Sequence, residues 1–289
     1  MRVVLKSHIG KTIDIPSSVP QGSVLGPILF AIFLGSLKLS DEQIEKGFNV
    51  IKYADDIIAI DKLTCINVNP TTHESSKSIV LDWALAHDLP MNSDKLKQLF
   101  VRKSNSLHYD ENFDGIPAVD SIRYLGVVFD NKMDFSSHVE HCLAKASQRL
   151  YILRVVKQVL DKKRLSCICK SLVDSIFLFA APLLVSLKAK DKNEIKNFDK
   201  RCHRIVCCNN PSQCSNYTSI IQLLTDSCKT LYLKAISNAD HPLYSLCPQR
   251  LSQTGMLRQM YCHTVRRQRS FIPQLTLLLN EQKQTASYI

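Results

Sequence analysis

The sequence predicts an α+β protein in which a mixed first part is followed by an all-helical second part. Up to about residue 130, short apolar stretches alternate with turn residues, a pattern typical of strands with a few helices between them. From Ser136 onward the apolar positions recur at spacings of three and four, as they do on an amphipathic helix. The 289 residues are 45% hydrophobic and 22% charged, which argues against a disordered chain and is enough for two domains of ordinary size.

The first part is expected to begin with short strands and one helix. Apolar residues alternate over residues 1–15, which predicts a hairpin. Ser23 can serve as the N-cap of a helix that runs to about Leu37. Residues 41–47 are polar and predict a connection, and residues 50–60 predict two apolar strands joined by a turn.

The rest of the chain is expected to pass from strands to helices. A helix is predicted over about residues 73–86, and strands at residues 99–101 and 122–129, with a loop around residues 114–115 between the strands.

The second part is expected to contain a long helix from Ser136. Further helices are predicted over about residues 163–188 and 191–208, with shorter ones up to about residue 237. Glu281 is the only acidic residue from residue 241 onward, so the end of the chain is basic.

Residues 53–56 read Tyr-Ala-Asp-Asp and lie at the expected tip of the 50–60 hairpin. Adjacent carboxylates repel one another, and divalent cations relieve that repulsion. Two such ions, roughly 3.5–4 Å apart, can hold the attacking and leaving oxygens of a phosphoryl transfer. One hypothesis is therefore a polymerase-type metal site at Asp55 and Asp56. The other is an ordinary polar turn, since Asp is a common turn residue. The four residues alone leave both hypotheses open.

Residues 19–30 read Val-Pro-Gln-Gly-Ser-Val-Leu-Gly-Pro-Ile-Leu-Phe, about thirty residues before the Tyr-Ala-Asp-Asp segment. This combination resembles the C-terminal part of the reverse transcriptase of non-LTR (LINE-type, jockey-like) retrotransposons. The resemblance implies a partial reverse-transcriptase palm over residues 1–130, a small mixed or antiparallel sheet with helices that lacks the fingers and the first catalytic strand. A helical thumb-like domain over residues 131–237 and a basic C-terminal region over residues 238–289 would follow.

The resemblance also implies roles for individual residues. Asp55 and Asp56 would be catalytic and would bind Mg²⁺, or Mn²⁺ in its place. Lys95 ends a Met-Asn-Ser-Asp-Lys segment similar to the family's Leu-Asn-x-x-Lys, and would act as a general acid toward pyrophosphate. The residues implied to contact the incoming nucleotide and the template are Gln21, Gly22, Ser23 and Tyr53. The residues implied to hold the primer strand, the primer grip, are Tyr124, Leu125 and Gly126.

The partners implied are an RNA template, a DNA primer and deoxynucleoside triphosphates.

Several of the residue assignments have plain structural alternatives. Lys95 also fits a solvent-facing lysine in a polar loop, and residues 124–126 also fit a strand that contains a glycine. Residues 21–23 also fit a helix cap.

The charge of the chain is unevenly distributed. Residues 1–130 carry 13 Lys and Arg against 16 Asp and Glu, whereas residues 131–289 carry 24 against 10. The first part therefore has a net charge of −3 and the second a net charge of +14, which together give +11 for the chain. The strongly basic second part favours binding of a polyanion. The alternative is a solvated helical surface. The residues expected to contact nucleic-acid phosphates are Arg266, Arg267 and Arg269, in a basic run before Ser-Phe-Ile-Pro that resembles the end of many such elements.

The eleven cysteines are expected to be reduced, because the N-terminus has no apolar core of the secretory kind. The longest apolar stretch, residues 175–187, is too short to span a bilayer and is expected to be a buried helix. We therefore expect an intracellular protein, nuclear or cytoplasmic, with no membrane partner. The Cys and His residues do not have the spacing of a structural zinc site, and most of the cysteines are expected to be small buried side chains.

The resemblance raises a doubt about activity. In the family, an earlier strand carries another catalytic aspartate, but only nineteen residues precede Pro20 here. Asp14 is the one acid among them, and its position fits the preceding hairpin rather than that strand. We therefore expect the isolated 289-residue chain to be inactive as a polymerase. Two alternatives remain: a non-catalytic remnant that binds nucleic acid, and a purely structural relic.

Overall fold

The computed structural model of the chain describes residues 4–5, 8–9, 22–62, 75–101, 115–207, 217–248, 256–262, 265–268 and 270–286. Contacts divide the chain into two units, residues 1–96 and 97–289. In the described part, six strands form three separate antiparallel pairs, and helices account for most of the remainder. The predicted α+β class is confirmed.

The central element of the first unit is a hairpin formed by β3 (Phe48–Tyr53) and β4 (Asp56–Asp61). The strands are antiparallel, and their register runs from Phe48 opposite Asp61 to Tyr53 opposite Asp56. Ala54 and Asp55 form the two-residue turn between them. The strand–turn–strand predicted over residues 50–60 is therefore confirmed, with strands that begin slightly earlier.

The helix that precedes this hairpin, α1, begins later than predicted. It covers Gly26–Leu34, and Ser23 is not its N-cap. Pro27 explains the difference: a cap at Ser23 would place Pro27 four residues inside the helix, where its ring would clash with the Ser23 carbonyl. With the helix starting at Gly26, the proline occupies the first turn, where no N–H is needed.

The remaining elements of the first unit are short. The predicted N-terminal hairpin is confirmed as β1 and β2, and the predicted connection over residues 41–47 is wrong because it contains a helix, α2. The capping box between Ser40 and Gln43 stabilises that helix. Helix α3 follows Ser75, close to the predicted start. The bounds are β1 (Val4–Leu5), β2 (His8–Ile9), α2 (Asp41–Glu45), α3 (Ser76–Ala86) and a 3₁₀ turn (Ser93–Lys95).

The interior of the first unit joins α1 to α3 and to the hairpin. The ring of Phe33 in α1 lies 5.2 Å from that of Trp83 and 5.5 Å from that of His87, centroid to centroid. Trp83 also donates a hydrogen bond to the Ser36 hydroxyl, at 3.0 Å. Buried apolar side chains of this unit are Leu34, Leu37, Phe48, Val80 and Ala84.

The second unit begins with another hairpin rather than the predicted single strand over residues 122–129. Strands β5 (Ser121–Tyr124) and β6 (Val127–Asp130) pair around the turn residues Leu125 and Gly126. Both turn residues have positive φ, 45° and 84°, as a type I′ turn requires. The strand predicted at residues 99–101 is also wrong, since only an isolated bridge forms there, between Gln98 and Ala118. Residues 102–114, which include most of the predicted loop, lie outside the described residues.

Asp130 organises the connection from β6 to the long helix α4 (Ser136–Val156). Its buried carboxylate accepts backbone hydrogen bonds from Lys132 (3.0 Å), Asp134 (3.2 Å) and Phe135 (2.9 Å). Three N–H donors around one carboxylate hold a loop whose Met133 and Phe135 have positive φ. Helix α4 then starts where the sequence predicts it.

The helices that follow differ from prediction at two places. The helix predicted over residues 163–188 is interrupted by a π-helical turn (Lys170–Asp174) and again before Pro182, which lies in the first turn of a new helix. Where shorter helices were predicted up to residue 237, the described residues from 217 onward form one long helix, α9 (Ile220–Ser237). The bounds are α5 (Lys162–Cys169), α6 (Ser175–Leu178), α7 (Ala181–Leu184), α8 (Ala189–Cys207), α9 (Ile220–Ser237), a 3₁₀ turn (Tyr244–Leu246), α10 (Val265–Gln268) and α11 (Phe271–Ala286).

The core of the second unit draws on all its major helices. Phe177 and Phe198 pack at 5.8 Å between ring centroids. The apolar stretch 175–187 contains two helices rather than the predicted one, and it is only partly buried, since Leu178 and Phe179 are exposed. Its residues in the core are Phe177, Ala181, Leu184, Val185 and Leu187. The predicted burial of most cysteines is confirmed for those described; the buried ones are Cys142, Cys169, Cys202, Cys207, Cys228 and Cys247.

The C-terminal residues belong to the same core. Leu275 of α11 is buried, and Asn280 accepts from the Leu257 N–H at 2.9 Å and donates to the Leu257 carbonyl at 3.0 Å. One amide side chain therefore satisfies both backbone groups of Leu257. Across the described residues, no helix is both long and apolar enough to cross a membrane.

Candidate catalytic site and nucleic-acid contacts

The predicted metal ligands lie together at the exposed tip of the β3–β4 hairpin. Asp55 is the second residue of the turn and Asp56 is the first residue of β4. Ala54, the first turn residue, has a φ of 50°, which lets the chain reverse in two residues. Asp55 is therefore part of the reversal, and Asp56 follows it directly. The side chains of Asp55 and Asp56 are exposed, and Tyr53, opposite Asp56, is 62% exposed. Carboxylate oxygens at an accessible turn are ligands that Mg²⁺ accepts.

Lys52 attaches this hairpin to helix α1. Its Nζ donates hydrogen bonds to the carbonyl oxygens of Leu34 (2.9 Å) and Leu37 (2.7 Å). Leu34 is the last residue of α1 and Leu37 lies three residues beyond it, so the cation lies at the negative end of the helix dipole. Lys52 lies two residues before the turn and pairs with Ile57 across the hairpin.

Asp61 attaches the other end of the hairpin to helix α3. Its Oδ1 accepts from the Ser76 backbone N–H at 3.1 Å and from the Ser76 hydroxyl. Ser76 is the first residue of α3, where N–H groups lack partners within the helix and favour a negative charge.

The segment implied to bind nucleotide and template precedes α1. Gln21 lies outside the described residues. Gly22 is exposed with a φ of 86°, and a Cβ added there would meet nothing within 4 Å. Ser23 is half-buried. An open glycine with positive φ leaves room for close approach of another molecule to the backbone.

Lys95 lies in the same unit as Asp55 and Asp56. It ends the 3₁₀ turn that follows Asn92, whose side chain accepts a hydrogen bond from the Asp94 N–H at 3.0 Å. The Lys95 side chain is exposed, so it is accessible to an anion.

The residues of the implied primer grip belong to the second unit. Tyr124 ends β5, and Leu125 and Gly126 form the turn. A Cβ added to Gly126 would lie 3.1 Å from the Phe179 ring, so the glycine allows that ring to pack against the turn. Tyr124 and Gly126 are half-buried, and Leu125 is 40% exposed.

The arginines near the C-terminus are only partly described. Arg267 lies in α10 and is exposed. The side chain of Arg266 and the whole of Arg269 lie outside the described residues.

Other exposed cations, which the sequence analysis did not single out, lie along α8. Lys196, Lys200 and Arg204 are spaced by four residues and therefore share one face of that helix. Lys200, Arg204 and Tyr217 help to line a cavity of about 400 Å³.

Next to that cavity lies a cluster of buried titratable groups. Burial, followed by the nearby Asp199 carboxylate, raises the pKa of Asp174 to about 6, although Lys170 opposes the shift. Burial and the hydrogen bond that Tyr217 donates to Asp199 at 2.7 Å raise the pKa of the Tyr217 hydroxyl. Among the described residues, no three His, Cys, Asp or Glu side chains form a group that could hold a metal ion.

The structure thus brings together some of the sequence-predicted residues and adds others. Asp55 and Asp56 are adjacent at one turn, and the first unit also contains Gly22, Ser23, Tyr53 and Lys95. Sequence reasoning missed Lys52 and Asp61, whose partners lie 15 to 18 residues away in the chain. Their only sequence signal was the presence of a charged residue within an otherwise apolar strand.

Comparison with known proteins gives a consistent result. Residues 5–129 match the family model described as reverse transcriptase (RNA-dependent DNA polymerase). The chain is 26% identical over 142 residues to the probable RNA-directed DNA polymerase from transposon X-element of Drosophila melanogaster. This alignment covers 46% of the chain and 15% of the relative. The chain is also 28% identical over 132 residues to the RNA-directed DNA polymerase from mobile element jockey of Drosophila funebris. That alignment covers 43% of this chain and 14% of the relative.

The jockey polymerase of Drosophila melanogaster is 25% identical over 161 residues, which covers 54% of this chain and 17% of the relative. The chain thus spans about one-sixth of the length of the curated relatives it matches. No solved structure matches it significantly. The resemblance predicted from the motifs is confirmed: residues 5–129 match the reverse transcriptase family model, and the chain is similar to the RNA-directed DNA polymerases of transposon X-element and of mobile element jockey.

Proposed function

We propose that this chain supplies the metal-binding hairpin of an RNA-directed DNA polymerase, with Asp55 and Asp56 as ligands of Mg²⁺, or of Mn²⁺ in its place. The observation that carries the proposal is the position of both carboxylates at the exposed tip of a paired hairpin, within the residues that match the reverse transcriptase model. When bound, the ions would assist attack of a primer 3′-hydroxyl on the α-phosphate of a nucleotide and would stabilise the pyrophosphate that leaves.

The other residues would bind and orient the substrates. Lys95 would neutralise the triphosphate and give a proton to the departing pyrophosphate. The residues that would contact the nucleotide and the RNA template are Gln21, Gly22, Ser23 and Tyr53. Tyr124, Leu125 and Gly126 would hold the DNA primer, and Arg266, Arg267 and Arg269 would bind phosphates.

We further propose that the 289-residue polypeptide by itself does not extend a primer. A two-metal site needs more negative charge than one carboxylate pair provides, since a ligand shared by both ions holds them close together. In the family a third carboxylate has this role, and among the residues that the structure describes no third acidic side chain joins Asp55 and Asp56. The isolated polypeptide should therefore bind divalent ions weakly and leave them poorly positioned.

The test is Mn²⁺ binding followed by electron paramagnetic resonance, together with primer extension. We expect Mn²⁺ binding that is lost in Asp55→Asn and kept in Asp82→Asn, which removes an exposed carboxylate elsewhere in the same unit. Equal binding by all three proteins would overturn the metal site. Primer extension that disappears in Asp55→Asn would confirm the site and contradict the proposed inactivity of the polypeptide.

A second candidate function, a non-catalytic protein that binds nucleic acid, is favoured by the basic face of α8. Lys200 and Arg204 are exposed there, in a segment with a net charge of +14 over residues 131–289. Each phosphate contact releases counterions, so the affinity should fall steeply with salt.

Replacing Lys200 and Arg204 by Ala should reduce the slope of log affinity against log salt by about 1–2 for single- or double-stranded nucleic acid. Replacing Lys38 and Lys62, two exposed lysines of the first unit, is the matched control and should leave the slope unchanged. An affinity that does not change with salt would exclude this function.

A further inference from the structure

We propose that Lys52 and Asp61 are positioning residues for the metal-binding turn, which they fix between the end of one helix and the beginning of another. The inference rests on the proposed function, because it assigns to these residues an effect on the Asp55–Asp56 site. Neither side chain reaches the site itself: each is hydrogen-bonded to a helix end.

The first attachment is close to the turn. The pair formed by Lys52 and Ile57 is adjacent to the pair formed by Tyr53 and Asp56, which closes the hairpin. The ammonium group of the half-buried Lys52 bonds to the carbonyl of Leu34, the last residue of α1, and to that of Leu37 in the segment that follows. A cation at this end of a helix is favoured by the dipole as well as by the two hydrogen bonds.

The second attachment is at the opposite end of the hairpin. The Asp61 carboxylate binds the first backbone N–H of α3, where a negative charge is favoured. The charges of Lys52 and Asp61 therefore match the helix ends near which they lie, a cation at a C-terminus and an anion at an N-terminus.

Helix α3 also contacts the segment that follows α1, next to the Lys52 attachment. Lys52 binds residues 34 and 37, and the indole of Trp83 in α3 binds Ser36, between them in the chain. Hairpin, α1 and α3 are thus linked in a closed triangle of polar contacts. Rotation of the hairpin about α1 would break the Lys52 contacts, and rotation about α3 would break those of Asp61.

The triangle has a functional meaning because of what precedes α1. Gly22 and Ser23, the described members of the nucleotide-binding segment, lead into the N-terminus of that helix. Lys52 therefore ties the metal-binding turn to the helix that carries this segment. A partner that hydrogen-bonds a metal ligand directly typically contributes about 10–100-fold to metal affinity, and Lys52, which acts one step further from the ligands, should contribute at the lower end of that range.

The sign of the effect separates this role from simple electrostatics. Removing a positive charge near two carboxylates strengthens their attraction for a cation. Loss of positioning weakens it. Lys52→Met, which keeps the aliphatic stem but removes the donor and the charge, therefore gives opposite results under the two explanations.

The experiment compares Lys52→Met, Lys52→Arg and Lys38→Met in the full chain. Lys38 is exposed and close to the same helix end, so its replacement removes the same charge without the two hydrogen bonds. We expect Mn²⁺ affinity, from paramagnetic resonance, to fall about tenfold in Lys52→Met, to be largely restored in Lys52→Arg, and to be kept or slightly increased in Lys38→Met. Unchanged or tighter Mn²⁺ binding by Lys52→Met would overturn the inference.

Fluorescence of Trp83, the only tryptophan of the chain, shows whether each variant retains a folded first unit under the binding conditions. A stabilising role alone would shift the unfolding midpoint without changing the Mn²⁺ affinity of the folded protein.

A second measurement keeps the inference testable if the proposed function fails, that is, if no protein binds Mn²⁺ through Asp55. Hydrogen exchange of the β3 and β4 amides should then be faster in Lys52→Met and in Asp61→Ala, and close to wild type in Lys52→Arg. Exchange that is the same in all variants would show that these contacts do not fix the hairpin.

Discussion

Gly126 illustrates at the scale of a residue how two separate constraints can act on one position. Its φ of 84° is unfavourable for any residue with a Cβ, and a Cβ would also lie 3.1 Å from the Phe179 ring. Gly115 has a φ of 69° with nothing within 4 Å of a Cβ, so it carries the first constraint alone.

We predict that Gly115→Ala lowers the free energy of unfolding by about 1–2 kcal/mol, the usual cost of a left-handed conformation. Gly126→Ala should cost more than that, because the Phe179 ring, although 66% exposed, must also move. Urea denaturation followed by circular dichroism measures both. In a Phe179→Ala background, Gly126→Ala should lower the free energy of unfolding by no more than Gly115→Ala does. If the two glycine replacements cost the same in the wild-type background, the Phe179 ring moves aside at no cost.

Asp174 is a residue whose burial makes stability depend on pH. Its pKa is raised to about 6, so between pH 4 and pH 6 the folded chain holds a proton that the unfolded chain has released. Its contribution to stability is therefore present at low pH and is lost as the pH rises through 6. A displacement from 3.8 to about 6 corresponds to a penalty on the order of 3 kcal/mol at pH 7.

Asp174→Asn should accordingly stabilise the chain at pH 7 and have little effect at pH 4. Urea denaturation at the two pH values tests this, with Asp240→Asn as the exposed control. A variant that is less stable than wild type at pH 7 would show that the charged form of Asp174 is favoured in the fold.

At the scale of elements, the sequence was most informative where periodicity is long. Helix α4 and the β3–β4 hairpin lie where they were predicted, because a repeated apolar spacing reflects the surface that an element buries. Breaks were harder to predict. The turn at Leu125 and Gly126 is enclosed by apolar residues, and the stretch 175–187 remains apolar across the break before Pro182.

The candidate site shows the same division. The positions of Asp55 and Asp56 at the tip of a hairpin were predictable, because two adjacent acids between apolar strands are a local pattern. Lys52 and Asp61 were not, because the helix ends that they bind lie far along the chain and leave no local signature. The absence of an N-cap role for Ser23 could have been predicted from Pro27 alone.

For the whole molecule, the two units differ greatly in the apolar surface that they bury. Among the described residues, the first unit has few buried apolar side chains, whereas the second has a continuous cluster to which helices α4 to α9 and α11 contribute. Since burial of apolar surface is the main favourable term in folding, the first unit should be the less stable.

We predict that Trp83 fluorescence, which reports on the first unit, changes at a lower urea concentration than circular dichroism at 222 nm, to which the helices of the second unit contribute most. The Lys52→Met replacement should lower the urea midpoint of the fluorescence transition and leave that of the circular dichroism transition unchanged. Coincident transitions in the wild-type chain would instead show that the two units unfold together.

The bonds between Asn280 and Leu257 affect how Arg267 is presented, since it lies between these residues in the chain. A polypeptide arm that is fixed at one end only must give up much conformational freedom when it lies down on a nucleic acid. Here the segment is fixed at both ends, and closing it into a loop has already removed part of that freedom during folding. If Arg267 contacts a phosphate, as proposed above, that contact would start with a smaller entropic loss than it would from a free tail, and the same charge would give tighter binding.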